Sequence, residues 1–199
     1  MRNFIGRGNF TWFVGVVEDI NDPVQLGRVR VRCYGWHTDD KGQIPTDQLP
    51  WAIPVNPVTG ASISGVGEMP TGLMQGSWVI GFFIDGERAQ EPAILGSLAS
   101  APTSEVNTGL GFNDPDGEFP RYLRESDVNK LARGEQSKPY TPDDVISEPD
   151  DPYNAEYPHN RVMETRSGHV KEFDDTPDAE RIRELHKSGT FYQVHPDGS

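Results

Sequence analysis

Only one cysteine, Cys33, occurs in the 199 residues. That excludes an internal disulfide framework, so nothing in the chain requires an oxidising compartment. Apolar residues are also scarce, at 34%. No run approaches the roughly 20 apolar residues of a membrane span. The opening MRNFIGRGNFTW lacks the apolar core of a signal peptide, and the chain is expected to be soluble as made. Basic residues are outnumbered too: 18 Lys and Arg stand against 31 Asp and Glu, for a net charge of −13. Residues 1–100 hold 7 basic and 10 acidic side chains, and residues 101–199 hold 11 and 21. Phosphate neutralisation supplies most nucleic-acid affinity, so so acidic a chain is a poor general binder of it. Sustained helical periodicity is missing as well.

Turn formers are abundant, with 21 Gly and 17 Pro. In RVRVRCYG (28–35), Arg28, Arg30 and Arg32 alternate with Val29, Val31 and Cys33, the period-two pattern of a half-buried strand. FVGVVED (13–19), WAIPVNPV (51–58), SWVIGFFI (77–84) and PAILGSL (92–98) are further strand candidates. Short strands punctuated by Gly and Pro predict an all-β barrel or sandwich over residues 1–100. Residues 101–158 change character, with eight prolines and isolated apolar residues such as Leu110, Phe112 and Phe119. They read as an extended acidic linker, with at most a helical turn over Val128–Arg133. Residues 159–199 contain a repeat: SGHVKEFDDTP (167–177) aligns with SGTFYQVHPDG (188–198) at an offset of 21 residues. Some forty residues of hairpin cannot bury a core alone, so Val170, Phe173, Ile182, Leu185, Phe191 and Val194 are expected to need other chains.

WFVGVVEDINDPVQLGRVRVRCYGWH (12–37) and IPTDQLPWAIPVNPVTGASISGVG (44–67) resemble the N-terminal OB-fold of the central spike proteins of T-even-type contractile phage baseplates. GFNDPDGEFPR (111–121) is similar to the segment after that barrel. METRSGHVKEFDDTP (163–177), AERIRELHKSGTF and VHPDGS are similar to the start of the family's trimeric β-helical spike. The same signature occurs in type VI secretion spikes. The resemblance implies an OB-like barrel, a linker, and the first hairpins of an intertwined trimeric β-prism. It also implies a homotrimer docked under a trimeric hub protein, a spike-tip protein, transient contact with the host envelope, and residence in the virion. The lysozyme domain of T-even members has no counterpart here, because its place holds only the acidic segment. Nor does the long β-helix appear before Ser199, so the spike is short or the sequence is part of a longer chain. Secretion spikes usually fuse a hub-like region before the barrel, and the early start of the barrel here favours a phage over a secretion or phage-like injection particle.

Each candidate for chemistry has a plainer alternative. Glu118 and Asp127 are spaced like a lysozyme carboxylate pair, but nothing around them predicts the cleft that such a pair needs. Ser167, His169 and Asp174 are the ingredients of a hydrolytic triad. Yet Ser167–Gly168 reads as a turn, and the repeat replaces His169 by Thr190. His169, His186 and His195 become a metal site only if threefold symmetry multiplies one of them. No cofactor and no metal are expected. An oligonucleotide- or oligosaccharide-binding role, common for OB-folds, rests on the Arg28, Arg30 and Arg32 stripe. A protein interface or cross-strand ion pairing suits that stripe better in so acidic a chain. Trp12, Trp51 and Trp78 are expected in core packing, and Cys33 as an inert buried thiol. The candidates for a trimer core are Val170, Phe173, Phe191 and Val194, with Arg28, Arg30 and Arg32 as candidates for a protein interface.

Overall fold

The computed structural model describes residues 10–119, 121–135 and 152–199. It divides into two compact units, Met1–Glu125 and Ser126–Ser199. Among the described residues every regular element is a strand or a short 3-10 turn, and no helix is long and apolar enough to cross a membrane.

The first unit is a closed barrel of five strands: β1 (Thr11–Asp19), β2 (Val29–Cys33), β3 (Trp51–Pro54), β4 (Trp78–Phe83) and β5 (Pro92–Ser97). Their order is β1-β2-β3-β5-β4, and β4 pairs back with β1 to close the ring. All pairings are antiparallel except β3 with β5. Closure leaves no free sheet edge, the usual liability of a small β domain. The nine-residue β1 serves both β2 and β4, and its register with β2 shifts between Val17 and Asp19. At Gly15 a Cβ would lie 2.6 Å from Val31 Cγ1 and 2.5 Å from the Arg32 carbonyl, so only glycine fits where β1 crosses closely over β2.

The alternation read in the sequence fills the interior. Phe13, Val17, Val29, Val31, Cys33, Ala52, Val79, Phe83 and Ile94 form the buried cluster, with the Phe13 and Phe83 rings 4.8 Å apart. Trp12 departs from expectation: it is 59% exposed. It alternates with Phe13 along β1, and Phe13 took the inward position.

The segment expected to be a linker is divided between the units. Residues up to Glu125 belong to the barrel unit, and the rest begins the second. The second unit is a four-stranded antiparallel meander of β6 (Asn160–Glu164), β7 (Val170–Asp174), β8 (Arg181–Leu185) and β9 (Phe191–Val194). The 21-residue repeat read in the sequence carries β7 onto β9, and the structure extends the same offset to β6 and β8. Its turns match as well: Thr165 N–H donates to the His169 carbonyl, as His186 N–H does to Thr190. Leu131, from the linker, is only 1% exposed. Its carbonyl accepts from the Tyr153 hydroxyl at 2.8 Å and from Asn160 Nδ2 at 3.4 Å. The helical turn expected at Val128–Arg133 is a tight turn in which Arg133 N–H is shared by the Asn129 and Lys130 carbonyls. The stretch of the linker over 136–151 lies outside the described residues.

Candidate functional site

Arg28, just before β2, and Arg30 and Arg32 within it are all engaged, each differently. Arg28 Nη2 lies 2.7 Å from Asp22 Oδ1. Asp22 also accepts the backbone N–H groups of Val24, Leu26 and Arg28, closing the β1–β2 loop. The Arg28 guanidinium and those amides hold the Asp22 carboxyl well below the usual carboxylate range. Arg30 donates to the Asp47 and Leu49 carbonyls and lies 4.4 Å over the Trp51 ring. Trp51, expected in the core, is a half-buried platform for cations.

Arg32 corrects the interface expectation, because its side chain is fully buried. Its Nε and one Nη grip Glu18 at 2.7 and 3.1 Å. The Nη groups also reach the carbonyls of Thr38 at 2.6 Å and Ile44 at 2.7 Å. Glu18 further accepts the Thr46 hydroxyl at 2.8 Å and the Phe112 N–H at 2.9 Å. A buried pair is tolerable only when its remaining donors and acceptors are met, and here they are. The pattern put Arg32 outward with Arg28 and Arg30. It did not anticipate that the GFNDP strap at 111–115 would close over that position. At Gly111 a Cβ would stand 2.2 Å from Arg32 Nε, so glycine is required for the strap to seal the pair. Beside it, His37 Nδ1 accepts the Cys33 N–H at 2.9 Å. Burial, then the Arg32 charge, lower the His37 pKa. Cys33 is buried, and desolvation pushes its thiol up to about 12, an inert state as expected. Each of the three arginines is thus committed to partners within the barrel unit.

The four trimer-core candidates do not share one face. Side chains alternate along a strand, so Val170 and Phe173, three apart on β7, point to opposite sides. Register puts Val170, Leu185 and Phe191 in one row and Phe173, Ile182 and Val194 in another. The Val170 face is covered within its own unit and is largely polar. There Glu172 accepts Arg181 at 2.7 Å and Asn160 at 2.9 Å, and Arg181 lies over Tyr153. The opposite face is open: Phe173 is 44%, Ile182 42%, Met163 64% and Tyr192 63% exposed.

The candidates for chemistry are not assembled into sites. Asp174 is buried at the far end of β7, where it accepts the Thr176 hydroxyl at 2.6 Å; Ser167 sits in an exposed turn with Thr165. The His169 and His186 rings do meet, 4.5 Å apart, at the hairpin end of the sheet. His186 Nδ1 is 2.7 Å from the Ser188 hydroxyl, and His195 stands beside Gln193. Among the described residues no group of three metal-ligating side chains occurs. Glu118 and Asp127 are exposed and fall in different units.

A model of the Gp5 N-terminal OB domain family matches residues 35–180, most of the chain. The chain belongs to that family. Protein Gp5 of Vibrio phage KVP40 is 36% identical over 244 aligned residues, covering 98% of this chain and 58% of the relative. The pre-baseplate central spike protein Gp5 of Enterobacteria phage T4 is 42% identical over 131 residues, covering 63% of this chain and 22% of the relative. The chain thus spans less than two thirds of either relative. The KVP40 alignment is longer than the chain itself, so the relative carries insertions.

Proposed function

We propose that this protein is a component of a phage baseplate's central spike, forming a homotrimer in the virion whose barrels dock under a hub protein and whose β-sheet begins the piercing spike. The observation that carries the reading is the open sheet face, with Phe173, Ile182 and Val194 in one register row and, in the next, Met163 and Tyr192 on either side of the Lys171–Glu184 ion pair. An exposed apolar row of this kind marks an interface. Three copies facing one axis would bury it. The reading keeps Phe173 and Val194 from the sequence analysis as axis residues and adds Ile182. It assigns Val170 and Phe191 to packing within one chain.

The role is mechanical, and no bond-making residue is required. The exposure of Glu118 and Asp127 supports reading them as surface carboxylates, so no peptidoglycan hydrolysis is expected. Solution mass tests the proposal: light scattering should give three times the 22.1 kDa chain mass. A chain ending at Glu125, where the first unit closes, should be monomeric. A monomeric full chain at tens of micromolar would reject the trimer.

A further inference from the structure

The two turns at one end of the second sheet repeat at the 21-residue offset, but their caps differ. In the β6–β7 turn, Thr165 Oγ1 meets the Ser167 hydroxyl at 3.4 Å and accepts the His169 N–H at 3.1 Å. At the equivalent place in the β8–β9 turn stands His186. Its Nδ1 accepts the Ser188 N–H at 3.2 Å and lies 2.7 Å from the Ser188 hydroxyl. The preceding amide, Lys187 N–H, donates across to His169 Nδ1 at 3.4 Å. Two consecutive amides of one turn thus each end on an imidazole nitrogen. His169 and His186 occupy the pair position just beyond Val170 and Leu185. Alternation puts them on the open face, with their rings 4.5 Å apart.

A backbone N–H can only donate, so each Nδ1 must carry a lone pair. Both rings are then neutral, with their hydrogen on Nε2. A proton added to either ring sits on Nδ1 and faces an amide hydrogen. The Ser188 hydroxyl can turn its oxygen towards such a proton, but the two amides cannot turn. A proton on each ring also sets two positive charges against one another across the pair. The surroundings do not offset this. On the same face β7 contributes Lys171 and β8 contributes Glu184, which hold each other in an ion pair. From β6 comes Thr165, and from β9 come Thr190 and the Tyr192 phenol. The charged side chains of the two turns, Arg166 and Lys187, are both basic. Glu164 alternates to the covered face of β6 and accepts from Asn129 at 2.8 Å.

We propose that His169 and His186 form an acid-sensitive latch on the β8–β9 turn. Neutral, they hold the turn closed; protonated, they release it together with β9, the outer strand of the sheet. The closed turn binds fewer protons than the open one, so its stability is complete at alkaline pH and fades as pH falls. Imidazoles change charge between pH 5 and 8, and the release belongs to that window. The latch is a property of one chain's own sheet and stands whether or not the open face joins copies.

The test uses the full chain labelled with ¹⁵N. At pH 8, the ring nitrogen shifts should show both imidazoles protonated at Nε2 alone. Between pH 8 and pH 5, hydrogen-exchange protection of the β9 amides, relative to unfolded rates, should fall about tenfold. The β7 amides and the hydroxyl-capped β6–β7 turn should hold theirs. His169→Asn combined with His186→Asn supplies a non-titrating oxygen near each Nδ1 position, and β9 protection in this variant should stay constant over the range. A hydrogen on either Nδ1 at pH 8, β9 protection that acid leaves unchanged, an equal loss over the whole sheet, or the same loss in the Asn variant would overturn the proposal. Equimolar Zn²⁺ that shifts both Nε2 resonances would overturn it too, by making the pair a metal chelate. The ring-nitrogen measurement needs no variant, and none of these outcomes bears on the solution mass, so the two readings fail separately.

Discussion

At the scale of single residues, the Glu18–Arg32 pair joins three parts of the chain: β1, β2 and the strap. Glu18→Gln would leave a buried guanidinium without its counter-charge. Removing one partner of a buried pair costs about 3–5 kcal/mol, and urea unfolding followed by the barrel tryptophans should show a loss of that order. Cys33 gives a pH signature. Its thiol is raised from 9.0 to about 12 in the fold, so above pH 9 the unfolded chain gives up a proton that the folded chain keeps. Stability from this group is therefore complete below pH 9 and falls as pH rises towards 12. Between pH 8 and pH 10.5 the loss should be about 1–2 kcal/mol larger than in Cys33→Val, which cannot titrate. His37 acts at the other end. Its folded pKa is lowered from 6.5 by burial and by Arg32, so its contribution is present above 6.5 and fades as the pH drops below that value.

At the scale of elements, the strap and the strands obey different rules. The barrel strands were legible because alternation of Val29, Val31 and Cys33 with arginines is a period-two signal that burial enforces locally. The strap has no period. Its apolar residues, Phe112 and Phe119, are spaced by turns rather than by a regular element, which is why the segment reads as linker. It is held by side chains capping backbone amides at Asp114 and by the close approach at Gly111. Gly111→Ala should displace the strap from Arg32. Overpacking of this kind costs about 1–3 kcal/mol, and hydrogen exchange at the Phe112 amide should accelerate more than exchange in β4. Equal acceleration throughout the barrel would mean that the strap is not held locally at this point.

At the scale of the whole molecule, the open sheet face leads to a further expected outcome. In the proposed trimer, Ile182→Asp, at the centre of the row, would place like charges near one axis where water is scarce. The variant should sediment as a monomer while the barrel still melts cooperatively, because residue 182 lies outside the first unit. Val170→Asp should behave differently. It would insert a charge into the covered face of its own sheet and unfold that unit rather than only separating chains. Near-ultraviolet dichroism with light scattering distinguishes the two results. A trimeric Ile182→Asp variant would reject the axis assignment.

The sequence by itself determined the class of fold, the five barrel strands to within a few residues, and the 21-residue duplication of the second sheet. Each is written in alternation, turn residues or repetition, which are local properties of a chain. It could not decide which face of the repeated sheet is open. Val170 and Phe173 are equally apolar, and the choice between their faces was made by Leu131 and Tyr153, residues distant in sequence that cover one side. Nor could it assign Arg32 to the interior. An arginine in an alternating strand faces solvent by pattern, and only the arrival of Glu18, Thr46 and the strap provides the partners that let it be buried. Non-local contacts decide where a polar side chain can be satisfied, and that is a property of the tertiary structure alone.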